Sequence, residues 1–352
     1  MGNMVADNAL MKLRAGHVLL AALLAAGPPA DRGRPVRSAG LGLAAEFERN
    51  ITPDTGRQVL GQLRVTGVSV FALPVSWPDA ERSPGRYDVE SVTRAARVLR
   101  QSGATLHLDL PLVIGREKSV PTDLKQIAFD DPKLSIRLGR LLDALTPALL
   151  DCSTVSLGSE ADVYFSDKPE DLKAYRRLFE GAVAFLQKKA PELGVGVTTL
   201  APTESPAPLV AAMLHQRSPV LFYAYAPFER GRPYVHRPPS SIERDWKQLL
   251  ERTGGRPIAF PEVSYSSSPE NDSSPEKQAD FVRRLRGMVS STDGRRLLFA
   301  RYATWRDPPP DPDESSPNAD TRRRVAFFGH RGLQTSKGEP KPAWKEWVKA
   351  AR

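Results

Sequence analysis

The feature that most restricts this chain is a rhythm. A strand-like run is followed by a helix-like run, and the pair recurs eight times from about residue 40 onward. "GLGLAAEF" (40–47) precedes "DTGRQVLGQLRVTG" (54–67), "VSVFALPV" (68–75) precedes "DVESVTRAARVLRQSG", and "TLHLDLPLV" (105–113) precedes "PKLSIRLGRLLDALTPALL". "TVSLGSE" (154–160), "GVGVTTLA" (194–201), "VLFYAYAP" (220–227), "PIAFPEVSY" (257–265) and "LLFARYATW" (297–305) open the other five units. The helical runs carry apolar residues at i, i+3, i+4 and i+7; Leu138, Leu141, Leu142 and Leu145 form one such stripe. Gly67, Gly103 and Gly255 close three of them as C-cap signals. Eight consecutive units without a linker predict one domain over residues 38–352, an α/β fold with a closed parallel sheet, the (β/α)8 TIM barrel. An open doubly wound sheet is the alternative, but no glycine-rich nucleotide fingerprint follows the first strand.

Composition narrows the function classes. The chain has 352 residues, 40% hydrophobic and 26% charged, enough for a sizeable core. Its formal net charge is +9, yet the basic residues are spread among acids and the one dense run is Arg322-Arg323-Arg324. With no zinc-finger, KH or RNP-type motif, a solvated basic surface is expected and no nucleic-acid partner. A single cysteine, Cys152, excludes an internal disulfide and reads as a packing thiol. The histidines at 17, 107, 215, 236 and 330 form no HExxH motif and no Cys/His cluster, so no metal and no cofactor are expected.

The N-terminal stretch "MKLRAGHVLLAALLAAGPPADRG" (11–33) has Lys12 and Arg14, an apolar run from about Val18 to Ala26, and small residues with prolines after it. That order describes a secretory signal over about residues 11–30, with translation starting at Met1 or Met11. Residues 1–32 thus comprise the signal peptide and a short N-terminal segment, and the stretch from about Lys12 to Ala30 is expected to be absent from a secreted or periplasmic mature protein. The run is too short to span a bilayer, no other segment is apolar enough, and no stable membrane insertion is expected. An amphipathic first helix is the competing reading. The mature protein is expected to be a monomer.

The irregular sequence is unevenly placed. Segments that follow strands are long, as in "IGREKSVPTDLKQIAFDD", "FERGRPYVHRPPS" and the stretch from 306 to 341; segments that follow helices are mostly short. Barrel active sites lie on the face built by the loops that follow strands. Two acids stand at that face: Glu160 ends the fourth strand and Glu262 lies near the end of the seventh. Two carboxylates across one pocket are the machinery of glycoside hydrolysis, one protonated to release the leaving oxygen and one ionised to attack the anomeric carbon. Asp109 ends the third strand and is a candidate for the pocket lining. Trp305 ends the eighth and is either a sugar-stacking platform or rim packing. Trp77 divides equally between core and site; Trp344 and Trp347 read as core, and Asp162 as a loop cap.

These residues carry a resemblance over roughly 40–350. The chain resembles the clan A glycoside hydrolases, retaining (β/α)8 glycosidases with catalytic glutamates after strands four and seven. "LGSEADVY" resembles the clan's Gly-Asn-Glu motif, which implies that Glu160 is the acid/base. "IAFPEVSY" resembles its strand-seven motif, which implies that Glu262 is the nucleophile. "VSWPDAERSPGRYDVE" resembles the strand-two segment through Trp77, Asp79, Glu81, Gly85, Tyr87 and Asp88, and "GLQTSKGEPKPAWKEW" resembles the closing segment. Ser159 stands where the clan has the asparagine that bonds the sugar 2-hydroxyl. In "FYAYAP", Tyr225 matches the tyrosine that bonds the nucleophile and Tyr223 stands in for a histidine. The resemblance implies a secreted retaining glycosidase acting on an oligo- or polysaccharide. A catalytically impaired carbohydrate-binding barrel is the alternative, favoured by Ser159 and Tyr223 and opposed by the retained pair of glutamates. A structural barrel with a plain mouth fits poorly with four aromatics near it.

Overall fold

The computed structural model describes residues 39–44, 61 and 66–349. The expected export segment, 1–32, and most of the first helical run, 54–67, lie outside them. Eight parallel strands occur where the rhythm places them: β1 (Gly40–Leu43), β2 (Val70–Pro74), β3 (Thr105–Asp109), β4 (Thr154–Ser156), β5 in two pieces (Gly194–Gly196 and Thr198–Leu200), β6 (Leu221–Tyr225), β7 (Ile258–Val263) and β8 (Leu297–Tyr302). The order runs from the first piece of β5 through β4, β3, β2, β1, β8, β7 and β6 to its second piece. Only Val197 separates the two pieces, so the strand that begins the order also ends it, and the barrel closes.

Closure requires close approach. A Cβ on Gly196 would lie 2.3 Å from the Val220 carbonyl oxygen and 2.8 Å from the Phe222 ring, so only glycine lets β5 meet β6 there. The barrel interior is a small apolar cluster of Val70, Val220, Phe222, Ala259 and Phe299. His107 sits against the rings of Phe222 and Phe299, 5.2 and 5.3 Å between centroids, with Nδ1 2.9 Å from the Thr154 hydroxyl. Burial drives its pKa down to about 3, so it is neutral and packs as a core ring.

The helices surround this cylinder: α1 (Trp77–Ala80), α2 (Glu90–Gln101), α3 (Pro132–Leu149), α4 (Ala161–Asp167), α5 (Leu172–Lys189), α6 (Pro208–His215), α7 (Ser241–Arg252), α8 (Pro275–Ser291), α9 (Ala319–Gly329) and α10 (Pro342–Lys349). Helix α3 starts on Asp131, whose side chain accepts from the Lys133 amide at 2.7 Å, and buries the expected stripe of Leu138, Leu141, Leu142 and Leu145. Gly67, Gly103 and Gly255 all take positive φ, as helix-ending glycines do. Cys152 is half-buried, and burial pushes its thiol up to about 12, in keeping with a packing role. Among the described residues no helix is long and apolar enough to cross a membrane.

The strand-two segment turns out to be a latch. Trp77 is fully buried, which corrects its candidacy for the site. Its indole donates to Glu81 Oε2 at 2.7 Å, while Glu81 Oε1 accepts from the Gly85 amide at 2.6 Å and from Arg137 Nε of α3 at 3.0 Å. Glu81 and Arg137 are both buried, and Arg137 Nη1 also binds Asp123. Glu81→Ala leaves the Trp77 indole and the Arg137 Nε without their acceptor and should therefore cost about 3 kcal/mol of stability. A urea midpoint within error of the wild type would show that the latch is dispensable.

Candidate active site

The two glutamates meet. Glu160 and Glu262 line one cleft of about 810 Å³ at the mouth of the barrel. Each reaches it by a local departure from regular backbone. Glu160 follows β4 in the left-handed region, φ 52 and ψ 41, and serves as the N-cap position of α4. A non-glycine residue there is strained, and such strain gathers at functional sites. Its neighbour Ser159 is buried and fixed by backbone: its amide donates to the Val113 carbonyl at 2.9 Å and its carbonyl accepts from the Gly115 amide at 3.0 Å.

Glu262 depends on a bulge. Along β6 and β7, Ile258 lies opposite Leu221 and Ala259 opposite Phe222, but Glu262 lies opposite Ala224 and Val263 opposite Tyr225. Three steps on β7 match two on β6. Without that extra residue, strict alternation would put Glu262 on the same side as Phe260, which stacks on Trp246 of α7 at 4.5 Å in the helix layer. The irregularity spans Pro261, which has no amide to offer a ladder; its carbonyl accepts from Arg301 Nε at 2.7 Å.

Alternation also corrects the tyrosines. Phe222 and Ala224 face the interior, so Tyr223 and Tyr225 face the helices. Tyr223 is buried edge-on against His215 of α6, 5.0 Å between centroids, and is not among the cleft-lining residues. Tyr225 reaches the cleft wall, but its hydroxyl donates to Asp245 of α7 at 2.9 Å, not to Glu262. Trp305 is buried and stacks on Trp344, 5.9 Å between centroids, which is the packing alternative. Asp109 is half-buried beneath the mouth; like Ser159 and Trp305, it is not among the residues that line the cleft. Trp347 is fully buried, as a core residue should be, and Asp162 acts as a cap: Oδ1 accepts from the Leu200 amide at 2.9 Å and Oδ2 accepts from the Ser205 hydroxyl.

The groups that hold the site were not singled out in the sequence. Arg331, in the long segment after β8, donates from Nη1 to Glu262 Oε1 at 2.6 Å. It is buried, and its guanidinium lies 4.9 Å from the Phe328 ring centroid. A cation held this way favours the ionised carboxylate. Tyr234, on the hairpin formed by Phe228–Glu229 and Arg232–His236, lines the cleft with φ 63. Glu160 and Arg324 both act on its hydroxyl electrostatically. Glu204, in the loop after β5, also lines the cleft; Arg237 donates to its Oε1 at 3.0 Å while also binding Asp245. A loop arginine leaves no periodic trace in a sequence, whereas a glutamate at a strand end does. Among the described residues no group of three or more His, Cys, Asp or Glu side chains is placed to hold a metal ion.

The fold is that of glycoside hydrolase barrels. A GH5_18 protein from Streptomyces cattleya, crystallised with GlcNAc, aligns at a TM-score of 0.67 and 15% identity over 90% of this chain and 80% of its own. An exo-beta-1,4-mannosidase from Opitutaceae bacterium strain TAV5 aligns at 0.61 and 14% identity, over 89% of this chain and 59% of its own. A beta-glucuronidase of Bacteroides uniformis aligns at 0.61 and 12% identity, over 91% and 35%. No family model and no curated protein sequence matches the chain. At these identities the likeness establishes the shared barrel.

Burial pushes the Glu204 carboxyl up, to about 8, against the opposing pull of Arg237. The folded protein thus keeps a proton that the unfolded chain releases from about pH 4.5 upward. Stability should fall as pH rises from there through about 8. Glu204→Gln should flatten that fall, read from urea midpoints at both ends of the window; identical slopes in variant and wild type would place the effect elsewhere.

Proposed function

We propose that the protein is a secreted retaining glycoside hydrolase, with Glu262 as nucleophile and Glu160 as acid/base. The observation that carries this reading is that the two glutamates, delivered by β4 and β7, line one cleft while Arg331 holds Glu262. The fold shared with glycoside hydrolases supports it, as do the sugars bound by one of those structural neighbours: GlcNAc by the GH5_18 protein of Streptomyces cattleya and Manb1-4GlcNAc by a variant of it.

The chemistry follows from charge. Glu262, ionised beside Arg331, attacks the anomeric carbon as the glycosidic bond breaks. Glu160 gives its proton to the departing oxygen, so the aglycone leaves neutral and Glu160 becomes a carboxylate. With the negative charge of Glu262 consumed in the ester, Glu160 now takes a proton from water, and that water opens the glycosyl-enzyme with a second inversion. The Arg331 bond also reduces the basicity of Glu262, which suits a nucleophile that must later serve as a leaving group.

Two variants separate the roles. Glu262→Ala should lose nearly all turnover on aryl glycosides and regain part of it with azide, giving a product of inverted configuration. Glu160→Ala should retain a first step on dinitrophenyl glycosides, accumulate the covalent intermediate, and respond to azide with retained configuration. The reverse pattern would exchange the two assignments, and oligosaccharide binding without hydrolysis by the wild type would favour the impaired, sugar-binding barrel.

Export completes the reading. The basic, apolar and small-residue order of 11–33 supports cleavage near residue 30. Expression of the full chain in a bacterial host with a Sec pathway should yield a periplasmic product whose N-terminus, read by mass spectrometry, lies near that point. A cytoplasmic product that retains Lys12 would overturn the export assignment.

A further inference from the structure

The basic run Arg322-Arg323-Arg324 lies on α9, and its three members have different fates. Arg322 donates from Nη1 to the Ser316 carbonyl at 2.9 Å and stands 3.6 Å from Glu270. Arg323 pairs with Asp320 at 3.3 Å. Arg324 lines the cleft, is half-buried, and among the described residues makes no hydrogen bond and no ion pair. A half-buried guanidinium without an anion keeps part of its desolvation cost uncompensated, and a ligand is the natural source of that anion.

Of the four glutamates that line the cleft, three are held by arginines, and the fourth is Glu160. Glu262 is held by Arg331, Glu204 by Arg237, and Glu229 by Arg232 at 2.6 Å. Three further cations of the lining, Arg230, Arg252 and Arg324, face it without such partners among the described residues. Arg230 and Arg252 are exposed and remain hydrated; Arg324 is the enclosed one.

Its position is built, not incidental. Asn271 is fully buried, and its Nδ2 donates to the Tyr234 carbonyl and to the Arg323 carbonyl, both at 2.8 Å. One amide thus ties the strained Tyr234 backbone to the turn of α9 that carries Arg324. The Tyr234 ring is packed by Phe327 and Phe328, 5.6 and 6.1 Å between centroids. Its hydroxyl makes no hydrogen bond among the described residues and feels both Glu160 and Arg324. A cation and a free hydroxyl donor therefore stand on the same wall as the residue assigned to protonate the leaving oxygen.

We propose that this wall recognises a carboxylate on the sugar, so that the substrate class is a glycan of uronic acids, with the carboxylate seated on the Arg324 fork and the Tyr234 hydroxyl. The proposal rests on the glycosidase reading of the same cleft. A planar carboxylate matches the guanidinium fork better than a hydroxymethyl group does, because it accepts two charge-assisted bonds.

The test is calorimetric and kinetic. Wild type is titrated with 4-nitrophenyl β-D-glucuronide and β-D-galacturonide, with the matched neutral glucoside and galactoside, and with a 6-sulfated aryl glucoside. At least one uronide should bind about 10-fold or more tightly than its neutral counterpart, with an affinity that falls as NaCl is added. Arg324→Met should erase that difference and leave neutral binding within about two-fold, while Arg324→Lys should keep part of it. The melting temperature of each variant controls for folding. Equal binding of acidic and neutral sugars, an unaltered preference in Arg324→Met, or a sulfated probe that outcompetes both uronides would overturn the proposal and leave the glycosidase reading standing. Failure of every glycoside to bind or turn over would overturn both.

Discussion

The mouth of this barrel depends on the point where β7 loses its alternation. In a parallel barrel every strand is buried on both faces, and consecutive side chains alternate between the cylinder and the helix layer. Phe260 is committed to the helix layer by Trp246. An unbroken strand would send Glu262 after it, into the helix layer and away from Arg331. The extra residue at Pro261 resets the phase, and the carboxylate emerges opposite Ala224 at the open end. The electrostatics of the cleft, the salt bridge to Arg331 included, follow from that one step.

A second dependence is the pairing of Glu262 and Glu204 with cations from other loops. Glu262 takes Arg331 from the segment after β8, and Glu204 shares Arg237 with Asp245. Breaking such a pair in a part-buried setting leaves a charge without compensation, which costs more than the pair contributes. Charge therefore ties the loop after β5 to the loop after β6, and the segment after β8 to β7, while the Asn271 amide adds a neutral tie between the excursions after β6 and β8.

Much of the architecture was legible because it is periodic. All eight strands lie within the expected runs, the α3 leucine stripe is buried, and Glu160 and Glu262 line the same cleft. What failed to show was phase and side-chain partnership. Tyr223 and Tyr225 were expected at the site because "FYAYAP" resembles the clan's strand-six segment; a strand buried on both faces gives no sign of its own of which residues point inward. Trp77 matched a motif whose polar members prove to serve a buried latch around Glu81. Trp305 found a ring partner in Trp344 from a distant helix. Arg331 sits in an irregular segment, and Tyr234 and Arg324 lie on a hairpin and a helix inserted after strands, where no spacing rule marks a side chain that reaches the cleft.

One consequence concerns inheritance. Arg331, which steadies Glu262, and Arg324, which faces the cleft from the wall beside Tyr234, come from a single excursion between β8 and α10. Most barrels can exchange a peripheral loop and alter what they recognise without touching their reactive groups. Here the same stretch of chain carries both duties. Exchanging it whole would remove the cation that holds Glu262 in the same event, so this wall of the cleft can change independently only through point changes within the segment.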